Sequence, residues 1–143
     1  MNGKNDLTSQ DINDNKMKSY ALILLTLFFT SCEYEAQISY KIKNNTTTTI
    51  KVISTNTDNK TKTETFFISP NVQATIAING QGLSGVSNYK EKGEKLRTFS
   101  KMDIFKNDSI KSNTDFLKTT RWTYIEKDTH SADYILTVLQ TDF

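Results

Sequence analysis

The chain has 143 residues, of which 36% are hydrophobic, 24% charged and 10% aromatic, with five Gly, one Pro, one Cys and a formal net charge of +2. This is the content of one ordinary domain, and it excludes collagen-like, Pro/Gly-rich disordered and disulfide-framework chains, each of which needs a bias in Gly, Pro or Cys. The charge is too mild for the basic face that a nucleic-acid partner requires.

Residues 1–16 are polar and contain Asp6, Asp11 and Asp14. Next comes a basic start, Met17-Lys18, an unbroken apolar run from Tyr20 to Phe29, and the small residues Thr30 and Ser31 before Cys32. That order is the n-region, h-region and cleavage site of a secretory signal. As a helix the run would span about 15 Å, half of the roughly 30 Å hydrocarbon core, so it is too short to be a transmembrane anchor. Signal n-regions are short and basic, which makes residues 1–16 an upstream extension and Met17 the expected start. The sole cysteine closes the signal, where an unpaired thiol in an oxidising compartment calls for an explanation.

The segment Phe29-Thr30-Ser31-Cys32 resembles the lipobox of bacterial lipoproteins. The resemblance implies removal of residues 17–31 by a dedicated peptidase and an amino-terminal, multiply acylated Cys32. One acyl chain gives only marginal binding, whereas two or more anchor stably. Cys32 is therefore the expected lipid-attachment residue and the membrane the expected partner, in a bacterial cell envelope and at its outer membrane. Residues 32–37 form a lipidated tether. Its Glu33 and Glu35 are similar to the acidic export signals of Bacteroidota surface lipoproteins, and equally to a solvated linker. Cleavage leaves the net charge at +2, because Lys4, Lys16 and Lys18 leave together with Asp6, Asp11 and Asp14.

From residue 38 to 143 the pattern is short β-branched and aromatic runs separated by Asn, Asp, Gly and Lys clusters. Strands are predicted at 38–43, 48–55, 63–69, 73–78, 96–105, 120–126 and 134–141. Ile50 and Val52 flank Lys51 as a half-buried strand requires. Residues 134–139 are apolar on both faces, which predicts a central strand paired with residues 122–126. Seven such strands predict a mainly β fold, a single antiparallel β-sandwich. The opening strand 38–45, the turn Ser69-Pro70-Asn71 before residues 75–78, and the closing residues 134–138 are together similar to small Bacteroidota lipoproteins carrying one immunoglobulin-like domain. The resemblance implies an envelope location and supplies no catalytic residue.

Candidate chemistry is sparse. Gly80, Gly82 and Gly85 fit G-x-G-x-x-G after a predicted strand, with Asp103 some twenty residues on, but Ser, Asn and Gly follow where a dinucleotide fold needs a helix. A glycine-rich loop using positive φ is expected instead. Lys90, Lys92, Lys95, Arg97 and Lys101 alternate with Glu91 and Glu94, the mark of a solvated segment that is able to meet anionic headgroups or acidic glycans. His130 is the only histidine. Asp128, His130, Ser131 and Asp133 have the residue types of a hydrolase triad, yet neighbours in one tight connection do not normally converge on a reacting atom. Residues 58–60 and 107–109 read as turns and lack the acidic spacing of a calcium loop. The N-x-Ser/Thr sequences at Asn44, Asn45, Asn59 and Asn107 follow from composition. Trp122 and Tyr124 share a strand face, which is either the core or a stacking platform for a sugar or peptide.

No catalytic, cofactor or metal residue is assigned. The expected function is a non-enzymatic binding or structural role at the envelope membrane, with an envelope protein or glycan as partner and no nucleic acid. An envelope inhibitor or immunity-type protein acting through an exposed loop at residues 80–93 is the alternative, and an undetected hydrolase the next. If Met17 is the start, mass spectrometry of cells yields no peptide from residues 1–16; such a peptide would refute it.

Overall fold

A computed structural model describes residues 35–58 and 62–143. The extension, the signal, Cys32 and Glu33 lie outside the described residues, as do Asn59 and Lys60 of one expected turn. Among the described residues eight strands make up the fold: β1 Ala36–Asn45, β2 Ile50–Asn56, β3 Thr63–Ile68, β4 Gln73–Gln81, β5 Phe99–Lys106, β6 Ile110–Lys111, β7 Trp122–Asp128 and β8 Ser131–Leu139. They form two four-stranded sheets in the orders β4-β1-β8-β7 and β3-β2-β5-β6. Among the described residues no helix is long and apolar enough to cross a membrane.

All seven predicted strands are present, and the mainly β class holds. Three details differ. First, β1 starts at Ala36, two residues inside the expected tether, because Ala36 is already fully buried. Second, β6 is an additional two-residue strand, both of whose residues are exposed. Third, the fold is not wholly antiparallel: β1 runs parallel to β8, with Tyr40 opposite Tyr134 and Ile42 opposite Leu136. A purely local reading misses this because the two strands are the first and last of the domain.

Alternation builds the core. Ala36, Ile38, Tyr40, Ile42 and Asn44 of β1 point inward. All but Asn44 meet Ala132, Tyr134, Leu136 and Val138 of β8 in one cluster with Ile50 and Val52 of β2 and Phe99, Met102 and Ile104 of β5. The prediction of β8 as a central strand holds: it lies between β1 and β7, with Trp122 opposite Leu136. The connection between β7 and β8 is shorter than expected, since β7 continues to Asp128 and β8 begins at Ser131. Asp133, placed in that connection by the sequence, is a buried strand residue on the outer face, held by Lys41 at 2.7 Å and Lys127 at 2.9 Å. Burial pushes its carboxyl up, but the two lysines outweigh it and hold it below the ordinary carboxylate range.

The turns use Asn and Asp where positive φ is needed. Asn71 has φ 61° and follows Pro70, and Val72 N–H donates to Ser69 O at 3.2 Å, a turn with Pro second and positive φ third. Asn107 and Asp108, at φ 49° and 61°, make the β5–β6 hairpin turn, as the sequence predicts.

Asn44 fastens one pole of the molecule. Its buried Nδ2 donates to Thr48 O and Ile68 O, each at 2.8 Å, while Oδ1 accepts from Thr46 N–H at 2.9 Å and Thr46 Oγ1 at 2.8 Å. One amide thus joins β1, the β1–β2 turn and the end of β3 in the other sheet. Each buried polar group left without its partner costs about 1–3 kcal/mol. Asn44→Ala removes the amide's bonds to Ile68 O and Thr46 N–H, while Thr48 O keeps the Thr46 Oγ1 donor at 2.8 Å, so a loss of at least about 2 kcal/mol is expected from urea midpoints at unchanged m-value. Exposed Asn45→Ala is expected within about 0.5 kcal/mol of wild type. Equal midpoints for the two variants would refute the role assigned to Asn44.

Candidate functional site

Strand direction gathers the site at the opposite pole. There β1 and β8 begin, β4 and β7 end, and β2 passes to its turn as β5 starts, Thr57 N–H donating to Thr98 O at 2.8 Å. Between these ends is a cavity of about 480 Å³ lined by Tyr40, Thr57, Asp58, residues 79–81, Tyr89, Glu91, Arg97 and Thr98.

Its floor is a relay of side chains. Asn79 Nδ2 donates to Thr98 Oγ1 at 3.0 Å, and Thr98 Oγ1 donates to the Tyr40 hydroxyl at 2.7 Å. Tyr40 is 2% exposed, and its ring stacks on Tyr134 at 5.3 Å and meets Phe99 edge-on at 5.3 Å. Burial pushes the Tyr40 hydroxyl up to about 12. It is a fixed neutral hydrogen-bonding group at physiological pH, with no tendency to act as a base.

The wall is an ion pair. Glu91 accepts at Oε1 from Arg97 N–H at 3.1 Å and at Oε2 from Arg97 Nε at 3.0 Å. The Glu91 side chain is 5% exposed and that of Arg97 81%. The carboxylate therefore positions the guanidinium and leaves its two terminal nitrogens without a partner among the described residues. The Glu91 N–H donates to the Tyr134 hydroxyl at 2.6 Å, which locks the segment to β8. Solvent screens the exposed guanidinium end of the pair, while the bond from Arg97 N–H ties the two ends of the 91–97 segment together. The pair therefore fixes the direction of the Arg97 side chain.

Several sequence expectations meet the structure here. Residues 80–93 are not a free loop: Gly80 and Gln81 belong to β4, and Val86 is fully buried with its N–H donating to Thr129 O at 2.9 Å. No described glycine has positive φ. Gly85 is instead confined by proximity, since a Cβ there would stand 3.2 Å from Thr129 O. Only a 3-10 turn, Val86–Tyr89, follows the glycines, in place of the helix that a dinucleotide site needs. Lys90 stands over the Tyr124 ring at 5.0 Å, Lys95 pairs with Asp115 at 2.9 Å, and Lys101 pairs with Asp103 at 3.1 Å. The alternating segment is thus divided among different partners and does not form a single basic face.

The Asp128–His130–Ser131 constellation is a hairpin turn. Asp128 Oδ1 accepts from His130 N–H at 2.7 Å and Oδ2 from Ser131 Oγ at 2.5 Å. Both carboxylate oxygens serve the turn, and these bonds hold Asp128 below the ordinary carboxylate range. Trp122 is core: it is 6% exposed and donates from Nε1 to Phe116 O at 2.7 Å. Tyr124 is half-buried against Tyr134, ring centroids 5.0 Å apart. Among the described residues no group of three or more His, Cys, Asp or Glu is placed to hold a metal ion.

A second hollow of about 550 Å³ lies between the edge strands β3 and β4, lined by residues 64–66 and 75–78. Glu64 is the only charged side chain along it, and it pairs with Lys62 at 2.6 Å. The Tyr40 cavity alone of the two brings orienting polar groups from separate elements together. No protein-family model matches the chain, and neither a curated protein nor a solved structure resembles it.

Tyr40, Tyr124 and Tyr134 all have hydroxyls pushed above the ordinary value near 10, chiefly by burial. A raised value means the fold favours the neutral phenol. Its stabilisation is complete below pH 10 and is lost as pH rises from 10 toward about 12, where the folded Tyr40 ionises. Urea midpoints are expected to fall over that interval, with a shallower fall in Tyr40→Phe. Parallel profiles for the two proteins would contradict the buried state of this hydroxyl.

Proposed function

We propose that the chain is a lipid-anchored, non-enzymatic binding protein of the bacterial cell envelope, held in the membrane through Cys32, with the Tyr40 cavity as its binding site. The observation that carries the binding role is the Glu91–Arg97 pair: a nearly buried carboxylate that accepts from Arg97 N–H with one oxygen and with the other aims a guanidinium whose terminal nitrogens have no partner among the described residues. Such an arrangement leaves donors positioned for a ligand. The anchor reading is supported by the lipobox-like Phe29-Thr30-Ser31-Cys32 at the end of the apolar run.

Two four-stranded sheets around a core with a single Trp support the finer reading of an immunoglobulin-like sandwich, and the parallel β1–β8 pair is the feature of its sheet order to weigh against it. The inhibitor reading draws less support. Residues 80–93 are pinned by Gly80 and Gln81 in β4, by Val86 to the β7–β8 turn and by Glu91 to β8, so they do not form one projecting loop able to enter a partner enzyme.

Substituting Cys32→Ser is expected to move the protein from the membrane to the soluble fraction and to abolish incorporation of labelled fatty acid. Full retention in membranes would overturn the anchor.

A further inference from the structure

We infer that the Tyr40 cavity binds an uncharged, polyhydroxylated sugar unit, which it meets near the membrane because few residues separate the domain from Cys32. The ligand class rests on the cavity alone. Its location rests on the lipid-anchor reading above.

The lining selects by charge first. An anion drawn to Arg97 would also meet Asp58 and Glu91, and a cation drawn to Asp58 would meet Arg97. A neutral ligand avoids both conflicts. Hydrogen-bonding capacity selects next. The Arg97 terminal nitrogens, the Gln81 amide, the Asp58 carboxylate and Asn79 Oδ1 have no partner among the described residues, and so mix donors with acceptors. A sugar hydroxyl both donates and accepts, so a ring bearing several of them is able to use such a set, whereas an apolar ligand would leave it unpaired. Tyr89 adds a half-buried ring to the wall, an apolar surface for the C–H face of a sugar. The floor is rigid, because the Thr98–Tyr40 hydrogen bond ties it to the aromatic core.

The location follows from chain direction. The cavity is at the pole where β1 begins, and four Cα-to-Cα steps separate Cys32 from Ala36, a reach of at most about 14 Å. With Cys32 acylated, the start of β1 is held within that reach of the lipid. Two sources share the chemistry: the sugar headgroup of a glycolipid and a soluble glycan near the surface.

The test is a chemical-shift titration of the full chain carrying Cys32→Ser with maltose, cellobiose, lactose and chitobiose, and separately with inorganic phosphate. At least one disaccharide is expected to shift the backbone amides of Asn79, Gln81, Tyr89 and Arg97. Arg97→Ala and Tyr89→Ala are each expected to weaken that binding at least about tenfold, the loss of roughly one or two hydrogen bonds or of a stacked ring. Arg97→Lys, which lacks the fork, is expected to restore little. No saccharide response, a response away from the cavity, or phosphate shifting these amides in place of sugar would each overturn the ligand class. For location, the acylated chain is compared on phosphatidylcholine vesicles with and without monoglucosyldiacylglycerol. Cavity shifts or crosslinks induced by the glycolipid support a headgroup source, and saccharide binding with no glycolipid response supports a soluble glycan. If Cys32→Ser stays on membranes yet the disaccharide still binds, the anchor fails and the ligand class stands.

Discussion

Everything at the candidate site depends on the divided burial of Tyr40. Its ring belongs to the core: it stacks on Tyr134 with planes 7° apart, and Phe99 and Trp122 meet it edge-on at 86° and 76°. Aromatic pairs of this kind contribute about 0.5–1.5 kcal/mol each beyond the area they bury. Tyr40 and Tyr134 come from one sheet and Phe99 from the other, so the cluster couples the sheets across the interior. The hydroxyl emerges at the far side of the same ring, as the acceptor for Thr98 at the floor of the cavity. Shifting Thr98 would require the core to move. The cavity thereby acquires a rigidity that its exposed wall residues do not possess by themselves.

The two poles answer the same problem, polar groups at the ends of apolar strands, in opposite ways. Asn44 lies on the face of β1 shared with Tyr40, and its amide is saturated by main-chain and Thr46 partners until nothing polar remains to offer. Nearby, the carboxy-terminal turn closes the β6–β7 side: Asp142 accepts from Arg121 at 2.7 Å and from Leu139 N–H at 2.8 Å, and its carbonyl accepts from Ser112. At the Tyr40 pole the corresponding groups stop short of saturation. Arg97 is oriented without being consumed, and Gln81 and Asp58 line the hollow without partners among the described residues. The two poles are thus distinguished by the polar groups left over after folding.

The strands were legible because one-sided burial imposes a period of two, visible in Ile38, Tyr40, Ile42 and again in Ile50, Val52. β6 was not, since two exposed residues carry no alternation. The parallel β1–β8 pairing was not either, because no local pattern states which distant strand is the neighbour. Trp122, on a face that the sequence leaves open between core and stacking platform, is core in the structure. The cavity was the least legible feature. Its members come from five separate stretches of a chain rich in Asn, Thr and Lys, where any one of them reads as surface. Glu91 shows the difficulty: in sequence it is one charge of an alternating, solvated run, and Arg97 is indeed exposed, yet the carboxylate has turned inward. The glycines misled in the other direction. They drew notice as sites of positive φ, while Asn71, Asn107 and Asp108 carry that conformation.

Strand polarity decides at which end of the sheets the chain enters the fold. At about 3.3 Å per residue the eight steps of β1 from Ala36 to Asn44 span roughly 26 Å, with Tyr40 midway along them. A chain entering through β1 brings in the Tyr40 pole first and the Asn44 pole last. Had the first strand run the other way, the chain would enter the fold beside Asn44, and the cavity residues would lie at the end of the sheets farther from the point of entry. The parallel β1–β8 pair sharpens this choice. Because both strands begin at the Tyr40 pole, the β7–β8 turn must lie there too, and Thr129 of that turn accepts the Val86 N–H that holds the start of the cavity's outer segment. The feature least visible in the sequence is the one that assembles the cavity wall beside the point where the chain enters the fold.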